Sequence, residues 1–320
     1  MKRDLRTGNW IDSSGAVAVP YRGARPFPDP SHETYRLAQR KELLEKRDRV
    51  MREVRAFFFE AGFVEVETPI VVPSPGLELH LDAVRADPGG WLITSPEYQM
   101  KRLLCAGMPR IFQICKCFRC GESGQHHNPE FTMIEWYRSP GAYEEIMDDC
   151  DALLARVAKL PAAERITMQG AFARWAGCAV PDNADDFWGP YLDRVEPQLG
   201  RERPTIVYEW PAYLCALARR KPADPKVVER FELFAGGLEL ANAFGELVDP
   251  VEQRARLDSD MAERRRRGKE IYPIDERFLA ALDEGLLPSA GVALGLDRVV
   301  MLALGAKRIR DVLTFAQDEL

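Results

Sequence analysis

No run of about 18 apolar residues occurs in the chain, so no membrane-spanning helix is expected. The opening residues lack the apolar segment of a signal peptide, and no secretory leader is expected from them. Disulfide pairing is not foreshadowed either. The seven cysteines are an odd number, are scattered, and suit a reducing, cytoplasmic setting. Positive charge is in deficit: 44 lysines and arginines face 50 acids, for a net charge of −6. That argues against a generally basic nucleic-acid binder. The run Arg264-Arg265-Arg266-Arg267 is a local exception and reads as a solvated helix end. What is present is material for a core. Of 320 residues, 46% are hydrophobic, enough for one large α/β domain or two smaller ones.

Residues 1–34 are rich in Gly, Pro, Asp and Ser and are expected to form an extended or poorly ordered arm. A helix is predicted over 35–61, where Leu43, Leu44, Val50, Val54, Phe57 and Phe58 recur at helical spacing until Gly62 ends it. Residues 63–69 read as a strand closed by Pro69. A short strand at 92–94 runs into a helix start, where Ser95 can cap, Pro96 fits the first turn and Glu97 complements the dipole. Further helices are expected at 144–159 and 167–176, and a charged, exposed one at 249–268.

The richest stretch is 110–137. Ile111, Gln113, Cys115, Cys117 and Arg119 share one face of an alternating strand; Phe112, Ile114, Lys116 and Phe118 share the other. After a long polar turn, Phe131, Met133, Glu135 and Tyr137 fall on one face of a returning strand, and Thr132, Ile134 and Trp136 on the other. One sheet face can thus present a guanidinium, an aromatic ring, a carboxylate and a phenol. Burying such charges is costly unless something satisfies them, so a charged ligand is the economical reading. A plain hairpin with its charges in water is the alternative. Cys115, Cys117 and Cys120 lack a usual zinc spacing and a nearby fourth partner, so no metal is expected on them.

A second constellation spans 231–246. A Gly236-Gly237 turn pairs Ala235 with Leu238; counting outward pairs Phe234 with Glu239 and Glu232 with Ala241. Glu232 and Glu239 then lie diagonally on one face, within reach of a common divalent ion that relieves their repulsion. A solvent-facing hairpin with unrelated acids is the alternative. In the third, at 291–302, a small-residue strand enters an apolar helix. Asp297 suits its N-cap, whereas Arg298 opposes the dipole unless an anion sits there.

Phe118, Arg119 and the run His127-Asn128-Pro129-Glu130-Phe131-Thr132-Met133 resemble motif 2 of class II aminoacyl-tRNA synthetases, in the version carried by the lysine enzymes. The segment 35–69 is similar to motif 1, the dimer-forming helix and strand. The segment 291–302 is similar to motif 3. The resemblance covers about residues 35–320 and implies an α+β fold, a mostly antiparallel sheet flanked by helices. It implies ATP as substrate and Mg²⁺ as cofactor. Arg119 would hold the α-phosphate and the substrate carboxylate, Phe131 would stack on adenine, and Arg298 would pair with the γ-phosphate. Glu122, His127 and Asn128 complete the ATP set, although Glu122 lies one residue beyond the family's usual Arg-x-Glu position. Glu232 and Glu239 would ligate the metal. Ser95, Glu97, Glu135, Tyr137, Asn242, Glu246 and Ala293 would line the amino-acid pocket, with the amine of a lysine as its target. Strict alternation puts Glu239 and Asn242 on opposite faces, so a bulge near Ala241 is required.

Two features move the likeness toward the stand-alone relatives of lysyl-tRNA synthetase that join lysine to elongation factor P. Only about 60 residues precede the motif 1 strand, too few for an OB-fold anticodon domain as well as the helix. In addition, Ala293 stands where the lysine enzymes usually have glycine, and the run Ile134-Glu135-Trp136-Tyr137-Arg138 fits. That likeness implies transfer of lysine or (R)-β-lysine through an adenylate to a lysine of elongation factor P, by a cytoplasmic homodimer with no tRNA partner. Charging of tRNA, release of free lysyl adenylate, and a non-catalytic lysine- or ATP-binding module are the competing expectations.

Overall fold

Strand periodicity divides the central sheet into an apolar face and a polar one, and that division positions the site. The computed structural model describes residues 1–23 and 33–320. Eight strands form a continuous path: β1 (Val64–Glu65), β2 (Arg110–Phe118), β3 (Glu130–Arg138), β4 (Glu164–Thr167), β5 (Thr205–Pro211), β6 (Asp224–Ala235), β7 (Leu238–Gly245) and β8 (Ala290–Gly295). Their spatial order is β1-β2-β3-β8-β7-β6-β5-β4, and Arg220–Lys221 pairs beside β6. The outermost pairs, β1 with β2 and β5 with β4, are parallel; the pairs between them are antiparallel. Helices α1 (Glu33–Glu60), α2 (Glu97–Cys105), α3 (Tyr143–Ala158), α4 (Pro250–Arg266), α5 (Glu276–Glu284) and α6 (Leu296–Leu304) flank the sheet. This is the expected α+β architecture.

The apolar face carries Phe112, Ile134, Trp136, Leu233, Ala243, Val292 and Leu294. It packs on Val50, Val54 and Phe58 of α1, Ile146, Cys150 and Leu153 of α3, and Val299 and Val300 of α6, all buried. Each large side chain buried there contributes roughly 1.5–3 kcal/mol. The opposite face carries a polar row. Gln113 lies opposite Glu135, Glu135 opposite Ala293, Ala293 opposite Asn242, and Asn242 opposite Glu232. Paired residues project to the same side, so five strands present one row to the same space.

The β6–β7 turn needs both its glycines, with φ of +61° and +73°, the left-handed values that a two-residue hairpin demands. Leu240 is then an extra residue: Phe234 pairs with Glu239, but Leu233 pairs with Ala241. The required bulge exists, one residue nearer the turn than expected. The simple count is corrected accordingly, since Glu232 faces Asn242 rather than Ala241.

Other expectations are also revised. Residues 1–23 form a small three-stranded antiparallel ribbon of Lys2–Arg3, Trp10–Ile11 and Val17–Val19 rather than an extended arm; 24–32 lie outside the described residues. Asp297 is not the N-cap, a position taken by Gly295. Its buried carboxylate instead accepts the Thr132 N–H at 2.7 Å and pairs with Arg47 of α1 at 2.6 Å. It thereby ties the start of α6 to β3 and α1. In the arginine run, Arg264 is fully buried while its three neighbours stay exposed, because one residue in a helical turn must face inward.

Candidate active site

One end of the pocket is built from buried acids and a phenol. Glu135, on β3, is 1% exposed. It accepts the Ser95 hydroxyl at 2.6 Å and the Tyr137 hydroxyl at 2.9 Å. Burial, then the charge of Glu97, pushes its carboxyl well above the usual range. An incoming ammonium would restore the ionised form. Glu246, just beyond β7, has no exposed surface. Burial pushes it up to about 7 against the pull of Lys101. Lys101 Nζ sits 2.5 Å from both Glu97 Oε1 and Glu246 Oε2. Burial lowers its proton affinity, but those two carboxylates reverse the effect and raise it, so the lysine is a cation locked between two acids. Among the described residues Glu246 Oε1 and Gln113 Oε1 are buried without a hydrogen-bond partner. Unmet acceptors of this kind suit an ammonium ligand.

Lys101→Met should cost about 3–5 kcal/mol, because it strands two carboxylates in the interior. The loss should be smaller near pH 5 than near pH 8. Glu246 already titrates above its unfolded value, and without the lysine's pull it does so further, so stability falls as pH rises through that window. Urea unfolding at the two pH values measures this.

At the arginine end, Arg119 leaves β2 with its guanidinium 5.0 Å from the Phe131 ring centre. Its ion pair with Glu122 is long, at 3.9 Å, and its buried Nε has no hydrogen-bond partner among the described residues. Arg298, on the first turn of α6, donates to the Glu239 carbonyl at 2.6 Å, and its Nη2 lies 2.6 Å from His127 Nε2. His127 is therefore a neutral acceptor here. Burial, then the charge of Arg298, lowers its pKa. Burial lowers that of Arg298, and the charge of Arg119 adds to the effect. The two arginines thus share one electrostatic neighbourhood with the β6–β7 hairpin. Asn128 differs from the rest of the expected ATP set. Its amide donates to the Glu130 carbonyl at 2.6 Å and accepts the Gln317 N–H at 3.1 Å, so both ends of the side chain brace the turn against the C-terminal segment.

Glu232 is buried and ion-paired with Arg230, whereas Glu239 is exposed. Burial, then the charge of Glu239, pushes Glu232 up to about 8, the mark of like charges held close. Oxygen donors in this arrangement fit Mg²⁺, which prefers one or two carboxylates plus phosphate oxygens and water. Among the described residues no three or more His, Cys, Asp or Glu side chains close into a metal cage. Cys115 and Cys117 stand 3.8 Å apart on the pocket side of β2, as the strand period requires.

Several participants were not singled out from the sequence. Arg230 donates to the side-chain amide oxygen of Asn242 at 3.0 Å and lies two residues from Glu232, on the same strand face. Lys101 follows Glu97 by four residues, one helical turn. Gln113 sits in the polar row itself. Gly291 lets Tyr137 lie across β8, since a β-carbon there would meet the ring at 2.1 Å. Glu78, in the irregular segment after β1, lines the same cleft as Ser95 and Glu97.

The family model of class II tRNA synthetases (D, K and N) matches residues 31–319. A Haemophilus influenzae strain PittGG protein named elongation factor P--(R)-beta-lysine ligase is 43% identical over 309 residues, which cover 87% of this chain and 95% of the relative. A Klebsiella pneumoniae subsp. pneumoniae protein of the same name is 42% identical over 306 residues, 85% of this chain and 94% of the relative. With this fold, this pocket and a match over nearly the whole length, the chain belongs to the class II tRNA synthetase family of the D, K and N type.

Proposed function

We propose that the protein uses ATP to activate lysine or (R)-β-lysine and transfers it to a lysine side chain of elongation factor P. The observation that carries this is the pairing of an ammonium-seeking end (Glu135, Tyr137, Glu246) with a two-arginine end on one sheet face. Arg119 draws together the substrate carboxylate and the α-phosphate. The carboxylate oxygen attacks phosphorus, the bond to the β-phosphate oxygen breaks, and pyrophosphate leaves under the charge of Arg298. No general base is needed, because the nucleophile is already ionised; positioning and charge stabilisation do the catalysis. The acceptor ε-amine then attacks the acyl carbon, AMP departs, and the amine's proton goes to solvent. Mg²⁺ held by Glu232 and Glu239 would neutralise developing phosphate charge. Ser95, Glu97 and Asn242 border the substrate, and Ala293, in the row between Glu135 and Asn242, narrows the pocket floor.

Homodimerisation through motif 1 is part of this reading. Phe59 at the end of α1, Val64 of β1, and Ile70 and Val71 just after it are large apolar side chains left exposed, as a buried dimer contact requires. A cytoplasmic setting agrees with seven free cysteines, and a protein acceptor replaces tRNA.

The test is incubation with ATP, Mg²⁺, elongation factor P and each lysine isomer, followed by mass spectrometry. One added lysyl mass on the factor is expected; label found on tRNA alone would overturn the assignment. Glu239→Gln should raise the Mg²⁺ needed for half-maximal pyrophosphate exchange about tenfold or more. Its melting temperature should not change, because the side chain is exposed. An unaltered Mg²⁺ requirement would remove the ion from this hairpin.

A further inference from the structure

Four acids of the pocket have partners from the protein. Glu97 and Glu246 share Lys101, Glu135 takes the hydroxyls of Ser95 and Tyr137, and Glu232 takes Arg230. Glu78 differs: among the described residues its carboxylate has neither a hydrogen bond nor an ion pair. It is partly buried and lines one cleft with Gly76, Thr94, Ser95 and Glu97. Burial raises its proton affinity; Arg119 opposes that and Glu97 reinforces it. Those two charges act on it most strongly, followed by Arg230 and Asp260.

The segment that presents Glu78 is firmly built. Arg264, fully buried, donates to the carbonyls of Glu78 and Leu81 at 2.7 and 2.8 Å and pairs with Asp82 at 2.8 Å. Lys269 holds the other Asp82 oxygen at 3.0 Å. The Asp82 carbonyl accepts the N–H of Cys120 at 2.7 Å, the residue next to Arg119. Tyr272 covers the Arg264 guanidinium at 4.6 Å. Burying an arginine is costly; here it fixes the backbone of Glu78 relative to the backbone beside Arg119.

We infer that Glu78 is a substrate-binding residue: with Glu97 it receives the ammonium group nearer the substrate carboxylate, and it contributes to the choice between α- and β-amino isomers. This rests on the function proposed for the same site. Arg119 draws the substrate carboxylate, so an amine one or two carbons away comes toward the cleft that Glu78 and Glu97 line together, within the field of Arg119 on Glu78. A carboxylate without a counter-ion is the acceptor still to be satisfied there. Moving the amine by one carbon–carbon bond changes how the two acids share it.

The test is calorimetric titration of the full-length wild type and Glu78→Gln with lysine, (R)-β-lysine and 6-aminohexanoate, which lacks the amine near the carboxylate. The variant should bind both diamines about 10- to 100-fold more weakly, as loss of a charged hydrogen bond implies. The ratio between the two isomers should change. The affinity for 6-aminohexanoate should be the same in both proteins. The melting temperature should hold or rise, because no protein partner is lost. Equal binding of the diamines, an unchanged isomer ratio, or an equal loss with 6-aminohexanoate would overturn the inference alone. Failure of the wild type to bind any diamine would overturn the proposed function and the inference with it.

Discussion

Replacing Arg119 by alanine should lower kcat/KM for lysine-dependent pyrophosphate exchange about 10³-fold or more while leaving the fold as stable as before. The two halves of this result have separate causes. Among the described residues the guanidinium has one long ion pair, to Glu122 at 3.9 Å, and a buried Nε with no partner. Weak, long pairs add little to stability, so thermal melting should not move downward. The cost falls on the reaction. A preorganised cation at the developing charge of phosphoryl transfer is worth roughly 3–4 kcal/mol. The same residue also aligns the attacking carboxylate, which adds an orientational loss. Arg119→Lys should recover only part of the activity, because an ammonium cannot bind two oxygens as a planar fork. A variant that melts several degrees lower with near-normal exchange would identify Arg119 as structural.

How far the site was legible follows from which contacts are local. Alternation along β2 and β3 put Gln113, Glu135, Tyr137 and Arg119 on one side, because a strand's period of two needs no tertiary information. The hairpin acids were harder. Whether Asn242 joins Glu239 depends on the extra residue Leu240, and a bulge leaves no fixed mark on composition. Arg264-Arg265-Arg266-Arg267 looks uniform in the sequence, although the helix turns one member into the interior. Lys101 stood at the right spacing from Glu97, yet nothing local says that its amine is buried. Glu78 gave no signal, since its segment has no period and its backbone is held by a residue 186 positions away. The fold, resting on periodicity, was therefore readable. The charge balance of the pocket, resting on long-range packing, was not.

Gly291→Ala tests the packing side of that balance and should strongly damage lysine binding. The residue lies on β8 opposite Tyr137 and Phe244. A β-carbon there would stand 2.1 and 2.2 Å from two ring atoms of Tyr137 and 3.0 Å from Glu246 Oε1. The ring is 3% exposed, so it has no open side to move into. Overpacking of this kind costs about 1–3 kcal/mol of stability. The larger effect should fall on the substrate. Displacing the ring breaks the Tyr137–Glu135 hydrogen bond at 2.9 Å and moves both acceptors of the distal amine. An acceptor set that misses its amine loses on the order of 10²-fold or more in affinity, because its buried groups stay unpaired. Lysine KM should therefore rise at least 100-fold, with ATP binding nearly unchanged, since Arg119 and Arg298 lie away from the methyl. Gly291→Ala combined with Tyr137→Phe separates the two causes. If the hydrogen bond is the casualty, the double variant should bind lysine about as weakly as either single one. Full additivity of the two losses would mean that the methyl acts through some other contact.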